Sequence, residues 1–299
     1  MAKSEDVVVV YHAPCLDGMA SRYAAWKHFG NAATYMPGKY EEDLDIELFR
    51  DKQVFCVDFS HKAKVIANIL TVCASYRVLD HHITGMEEIH KAIQLVIDDP
   101  DRCSKLSFNY DPNKSGAGIT WNAWNKGELP KVLQHIQDRD LWKFDIENTK
   151  IVCCYMKSLN YDFKKWVKAI EKENYLDIIS KGTSIRKQEV DDITDLVRGV
   201  EMGQLFGYDI PVLTNCPKEY VSEACNRLLT EMYRKGQRCT HKEGKAFWPF
   251  TANRSWNGTG WLYSLRSTDE GVDVGALAKS QGGGGHRNAS GFFMEQLMP

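Results

Sequence analysis

Val7 to Tyr11 is an unbroken run of β-branched and aromatic residues, and it leaves little choice of architecture. A strand that is apolar at every position has both faces buried, the condition of a strand inside a parallel sheet covered by helices on each side. The run ends in His12-Ala13-Pro14-Cys15-Leu16-Asp17-Gly18, and from Met19 to Phe29 the pattern changes to helical spacing. His12 and Asp17 therefore fall on a strand-to-helix connection, where open α/β sheets bind their ligands.

The same design recurs twice. Gln53 to Val57 predicts a second strand with Asp58 at its C-terminal end, Ser60 as a cap and a helix from His61 to Val72. Tyr76 to Leu79 predicts a third, running into Asp80-His81-His82. Three adjacent ionisable side chains cost desolvation unless something charged or hydrogen-bonding meets them, and a divalent metal would. Each residue alone has an ordinary reading, as a structural histidine, a helix cap or a solvated strand end. Their recurrence at three strand ends favours one shared crevice.

Further on, Ile89 to Ile97 predicts a helix turn and a further strand, and Asp98 to Asp111 a polar loop whose acids lack the spacing of an EF-hand. Ser115-Gly116-Ala117-Gly118 opens a Trp-bearing helix over Ile119 to Asn125, with small residues that permit close backbone approach. A short helix over Leu129 to Gln137 delivers Asp138 and Asp140, which lie two apart and so face different ways. Imidazoles with carboxylates suit Mn(II), with Mg, Fe, Co and Zn as competitors. The set exceeds what one ion needs, and two ions about 3.5–4 Å apart sharing a carboxylate suit phosphoester hydrolysis.

The order His12, Asp17-Gly18, Asp58, Asp80-His81-His82 and Asp138 resembles the catalytic part of the DHH phosphoesterase superfamily. That superfamily includes RecJ-type exonucleases, nanoRNA hydrolases, cyclic-dinucleotide phosphodiesterases and manganese pyrophosphatases. The resemblance implies an enzyme, a two-metal phosphoesterase in which His12 binds one ion, Asp58 bridges both, and Asp17, His81 and Asp138 bind the other. Asp80 and His82 complete the catalytic group with Asp58 and His81, and His82 stands near the scissile phosphate or behind the ligands. Asp138 fits the family's fourth motif better than Asp140. The first family motif carries Asp-x-Asp where this chain has Cys15-Leu16-Asp17. The thiol replaces a ligand, water fills the gap, the metal is held with fewer ligands, or Cys15 is a buried structural residue.

Phe163 to Ile179 and Ser184 to Phe206 predict two long helical segments with solvated Lys and Glu faces. They suggest a catalytic domain over 1–185, ending in this helical linker, and a smaller α/β domain over 186–299. The latter predicts strands over Ile210–Leu213, Lys245–Phe250 and Gly260–Leu265, and helices over Glu219–Met232 and Val272–Lys279. The glycine run from Gly282 through Gly283, Gly284 and Gly285 to His286-Arg287 is entropically costly, and its use is to present backbone N–H groups to an anion. With Arg266-Ser267 and Ala289-Ser290-Gly291 it resembles the DHHA1 substrate-binding domain. That implies phosphate capture by Arg266, Ser267, His286 and Arg287, and two domains that clasp a nucleotide between them.

A net charge of −2 gives no general invitation to long duplex nucleic acid. Nine cysteines without metal-finger spacing fit a reduced compartment, and no membrane span or leader is expected, so the expected setting is cytoplasmic. At 299 residues the expected substrate is short: single-stranded oligonucleotides, or linear or cyclic dinucleotides, with Mn2+ as cofactor and Mg2+ or Co2+ as substitutes. A monomer or homodimer serves equally. A phosphatase acting on a 3'-phosphate or a bisphosphonucleotide uses the same parts, and so does a catalytically inactive nucleotide-binding regulator, which Cys15 favours.

Overall fold

A computed structural model describes residues 6–38, 44–231, 240–242 and 245–298. Residues 1–5, where a leader would begin, and Met232, at the expected end of a helix, lie outside them. The chain divides into two compact units, Met1–Arg186 and Lys187–Pro299.

The first unit begins β1 (Val7–His12), α1 (Leu16–Phe29), β2 (Thr34–Gly38), β3 (Gln53–Val57), α2 (Ala63–Val72), β4 (Ser75–Asp80) and α3 (Ile83–Val96). It continues with α4 (Pro100–Lys105), β5 (Leu106–Tyr110), α5 (Gly116–Trp124), α6 (Lys131–Asp140), α7 (Thr149–Ser158) and α8 (Phe163–Glu171). Its five strands form one parallel sheet in the order β2-β1-β3-β4-β5. Val8, Val10, Val54, Cys56, Tyr76 and Val78 pack on one face against Ile66, Ile69 and Leu70 of α2 and Ile89 and Ala92 of α3. Val7, Val9, Tyr11, Phe55, Val57 and Leu79 pack on the other against Ala25 of α1 and Ile119 of α5. Helices on both faces are why Val7 to Tyr11 of β1 is apolar at every position, and each buried valine contributes about 1.5–3 kcal/mol.

This strand order has a functional consequence. From β1 the chain crosses to β2 on one side, and from β3 to β4 on the other, so the carboxyl ends of β1 and β3 flank the point where the winding reverses. Ligands of such sheets bind in the crevice that opens there. His12 ends β1 and Asp58 follows β3.

Several local expectations are corrected. Helix α1 starts at Leu16, which puts Asp17 in its first turn and not in the preceding loop. Ser60 does not cap α2, whose N-cap is Lys62 without a side-chain hydrogen bond. Ile89 to Val96 is helix throughout, with Ile89, Ala92 and Val96 as its buried stripe. The fifth strand lies instead in the stretch expected to be a polar loop, after α4, whose Asp99 accepts the Arg102 N–H as N-cap.

Helix α9 (Tyr175–Arg198) leads to the second unit. That unit holds β6 (Glu201–Leu205), β7 (Tyr208–Thr214), α10 (Val221–Glu231), β8 (Thr240–Lys242), β9 (Lys245–Phe247), β10 (Thr251–Trp256), β11 (Trp261–Arg266), α11 (Val274–Ser280), β12 (Gly284–His286) and β13 (Ala289–Met294). Six of these strands form a mixed sheet in the order β12-β13-β11-β10-β7-β6. The helix expected to reach Phe206 stops at Arg198, and 201–205 is an antiparallel strand. Phe206 and Gly207, at φ 53° and 80°, make the two-residue turn that returns it to β7. The fold class is thus α/β: a parallel-sheet unit followed by a smaller mixed-sheet unit. No helix among the described residues is long and apolar enough to cross a membrane.

Candidate metal centre

The first unit gathers its acids and imidazoles where the strand order reverses. The Asp58 carboxylate is 1% exposed; its Oδ2 lies 3.6 Å from His12 Nδ1, and its Oδ1 lies 3.4 Å from His81 Nε2. His81 Nε2 also lies 3.3 Å from Asp140 Oδ2 and 4.0 Å from Asp17 Oδ2. Three overlapping groups bring one ligand atom per residue within 4.8 Å of one another: Asp58 with Asp80, His81 and His82; His12 with Cys15 and Asp58; and Asp17 with His81 and Asp140. Both Asp58 oxygens, Asp17 Oδ2 and Asp80 Oδ2 are buried without a hydrogen-bond partner. Buried carboxylate oxygens left this way are costly, and a divalent cation is the group that would satisfy all of them. On donor chemistry and on these orphaned oxygens, the residues fit divalent metal ions.

Local structure explains the convergence. Asp58 sits at φ 54° and donates its N–H to the Leu79 carbonyl at 2.9 Å, a kink immediately after β3. An aspartate tolerates this left-handed backbone better than most side chains. Asp80 Oδ1 accepts from the backbone N–H groups of His81 at 2.8 Å and His82 at 3.3 Å, and from His82 Nδ1 at 2.7 Å. The start of α5 closes the crevice: Ser115 caps the helix by accepting the Gly118 N–H, and the Ala117 N–H donates to Asp17 Oδ1 at 3.2 Å. At Gly116 an added Cβ would stand 2.4 Å from the Asp58 Cβ, so only glycine lets this backbone pass. The sequence marks this stretch as one of close approach; the structure supplies its target.

The charges oppose one another. Burial pushes the Asp17 and Asp140 carboxyls up, and Asp58 adds to the effect at both. Burial acts on Asp58 in the same direction, but His12 and His81 outweigh it and hold that carboxyl below the usual range. Burial alone would lower the His82 imidazole; Asp80 and Asp58 instead hold it up at about 9. Without a cation the cluster balances its charge by keeping protons, and metal binding would displace them.

Of the two α6 acids, Asp140 falls in a ligand group with Asp17 and His81, and Asp138, the one expected as a ligand, falls in none. Asp138 accepts from the Asp145 N–H at 2.9 Å, the Ile146 N–H at 3.2 Å and the Thr149 hydroxyl at 2.5 Å. It fastens the turn after α6 and belongs to none of the three ligand groups. Thr149 in turn meets His135 Nδ1 at 3.0 Å, and His135 Nε2 meets the Tyr175 hydroxyl at 2.7 Å.

His61 was not singled out for chemistry, yet it lies three residues beyond Asp58 in a buried chain. The Cys56 thiol donates to the Tyr76 hydroxyl at 3.0 Å, and that hydroxyl meets His61 Nδ1 at 2.7 Å. Burial lowers this imidazole from 6.5 to about 4. Between those values the unfolded chain takes up a proton that the folded chain refuses, so stability falls as pH drops through the window, by up to about 3 kcal/mol. We expect His61→Gln to flatten the pH dependence of the urea midpoint between pH 6.5 and 4 relative to the parent. Parallel pH profiles would refute that role.

In the second unit, Arg266 is partly buried, and the desolvation lowers its affinity for its proton. It donates to the Leu265 carbonyl and the Ser222 hydroxyl, each at 2.8 Å, and pairs with no carboxylate among the described residues. Ser267 is buried against Asn288, and Arg287 donates to the carbonyls of Asp269 and Gly271. The glycine run is not an open loop. The Gly282 and Gly283 N–H groups donate to the carbonyls of Lys279 and Ala278, closing α11, and Gly284 to His286 pair with β13. A Cβ at Gly283 would stand 2.2 Å from the Gly291 carbonyl oxygen, so close packing alone demands glycine there. The Gly283 amide is therefore committed within the fold and not presented to an anion.

No family model matches the chain. Its fold is shared with the pGpG-specific phosphodiesterase PggH of Vibrio cholerae, aligned over 97% of this chain and 93% of that one at 13% identity with a TM-score of 0.52. An exopolyphosphatase-related protein from Bacteroides fragilis aligns over 98% of this chain and 87% of its own, at 14% identity with a TM-score of 0.49. In sequence, the chain is 30% identical to the uncharacterized protein R106 of Acanthamoeba polyphaga mimivirus over 97% of its own length and 68% of that protein's. The chain belongs to the family of that viral protein.

Proposed function

We propose that this family member is a divalent-metal-dependent phosphodiesterase of the DHH/DHHA1 type, acting on short single-stranded oligonucleotides or on linear or cyclic dinucleotides. The observation that carries the reading is the Asp58 carboxylate, whose two oxygens turn to different partners, His12 and His81. A carboxylate so placed can join two ligand groups, with His12 on one side and His81, Asp17 and Asp140 on the other. The fold shared with a phosphodiesterase named for pGpG supports the substrate class. Mn2+ is the proposed ion, with Mg2+ or Co2+ as substitutes; ions bound there would supply Lewis-acid activation of water and neutralise phosphoryl charge.

The chain's own residues supply orientation and proton placement. Asp80 accepts from His82 Nδ1 and so orients the ring, which leaves Nε2 as the nitrogen that would donate to a phosphoryl oxygen. The small residues at the head of α5 exclude water from behind Asp17 and Asp58. In the second unit, Arg266, with no carboxylate partner among the described residues, and His286 are the proposed anion-holding pair. His286→Ala is expected to raise KM about tenfold, the scale of one hydrogen bond to a charged group, with little change in kcat. Unchanged KM and kcat would place His286 outside the site.

The reading is tested by incubating manganese-loaded protein with dinucleotides, oligonucleotides of increasing length and bisphosphonucleotides, and identifying the products. Cleavage of internal phosphodiester bonds, fastest on the shortest substrates, is expected. Preferential release of inorganic phosphate from bisphosphonucleotides would make the protein a phosphatase, and tight binding without turnover would make it a regulator.

A further inference from the structure

Cys15 occupies a position that a purely structural cysteine has no reason to hold. It is the N-cap residue of α1, where an oxygen side chain is usual, yet its thiol makes no capping hydrogen bond. It belongs to none of the hydrophobic clusters of the described residues. Cys56, Cys73, Cys153, Cys154, Cys216 and Cys225 are buried; Cys15 and Cys103 are partly exposed, and of these two only Cys103 packs against a hydrophobic cluster. Its sulfur lies within 4.8 Å of ligand atoms of both His12 and Asp58. An independent observation points the same way: Asp58 Oδ2, on a side chain 1% exposed, has no hydrogen-bond partner and turns to the His12 side.

We propose that Cys15 is a metal ligand, completing with His12 and Asp58 a nitrogen, sulfur and oxygen site for a borderline-soft divalent ion. This rests on the metal-centre reading above and deepens it by dividing the centre into two chemically unlike halves. On ligation the sulfur forms a bond to the ion and the thiol proton passes to solvent; nothing is oxidised or reduced. The thiolate and the Asp58 carboxylate together offset the dication, which removes the electrostatic cost of an anion beside Asp17 and Asp140. The half built on His81, Asp17 and Asp140 offers only nitrogen and oxygen and suits Mn or Mg. The half built on Cys15 would favour Zn, Fe(II) or Co(II) by ligand softness while still accepting Mn supplied alone. The chain would thus distinguish two metals within one crevice.

The test is a titration of metal-free protein with Co(II), followed by near-ultraviolet absorption and by the cobalt retained per chain. The parent is expected to develop a thiolate-to-cobalt charge-transfer band. Cys15→Ser should lose the band while still retaining cobalt on the His81 side, and Cys15→Asp should retain as much cobalt as the parent without the band. Far-ultraviolet circular dichroism checks that both variants fold; the parent's own spectrum tests the proposal even if they do not. Cobalt bound by the parent without a charge-transfer band overturns the role of Cys15 and leaves the metal centre standing. A band unchanged in Cys15→Ser assigns the sulfur to another cysteine and likewise overturns it. No cobalt retained by the parent overturns both readings together.

Discussion

Replacing Asp58 with asparagine is expected to lower kcat about a thousandfold or more while the protein remains folded. The side chain changes by one atom, so the packing against Gly116 is kept. What changes is charge: an amide presents one oxygen, and it cannot serve His12 on one side and His81 on the other as the carboxylate does. The loss of one pre-organised electrostatic partner in a water-excluded site is worth about 10²–10³ in rate, and a shared ligand should reach or exceed the top of that range. Turnover numbers on a dinucleotide and far-ultraviolet circular dichroism check it together. Substantial turnover in a folded Asp58→Asn protein would remove the bridging assignment.

The second large effect separates two acids two residues apart. Asp140→Asn is expected to cost about a hundredfold in kcat with stability nearly unchanged, because its carboxylate lies 3.3 Å from His81 Nε2 and holds no part of the backbone. Asp138→Asn should do the reverse. It loses charge-assisted acceptance from two backbone N–H groups and the Thr149 hydroxyl, costing about 1–3 kcal/mol in urea unfolding while kcat is largely kept. The opposite pattern, with activity lost at Asp138 and stability lost at Asp140, would contradict the placement of both side chains.

That pair shows where sequence reading stops. Two acids two apart at a helix end are separated by more than half a turn, and nothing in Asp138-Arg139-Asp140 says which faces inward. The decision belongs to tertiary contacts, here the turn after α6 that returns its N–H groups to Asp138. By contrast, His12 and Asp58 follow runs so apolar, Val7 to Tyr11 and Val54 to Val57, that only a buried parallel strand suits them, and Asp80 to His82 follow Val78-Leu79, so their convergence at adjacent strand ends was legible. Leu95-Val96-Ile97 looks like a strand by its own composition, but Ile89, Ala92 and Val96 form the stripe that packs α3 on the sheet, and packing overrode propensity. The return from β6 to β7 was hidden because Phe206 is an unusual occupant of a left-handed turn position. The glycine run was conspicuous, yet composition could not separate an anion cradle from the need to pass close to Gly291.

The most direct measurement of the central claim is dinucleotide turnover by chelator-stripped protein as Mn2+ is returned, read against the ions bound per chain. No turnover is expected in the stripped protein, with saturation as two ions per chain are restored and the response absent in Asp58→Asn. Full turnover by the stripped protein, or the same metal response in Asp58→Asn as in the parent, would contradict it.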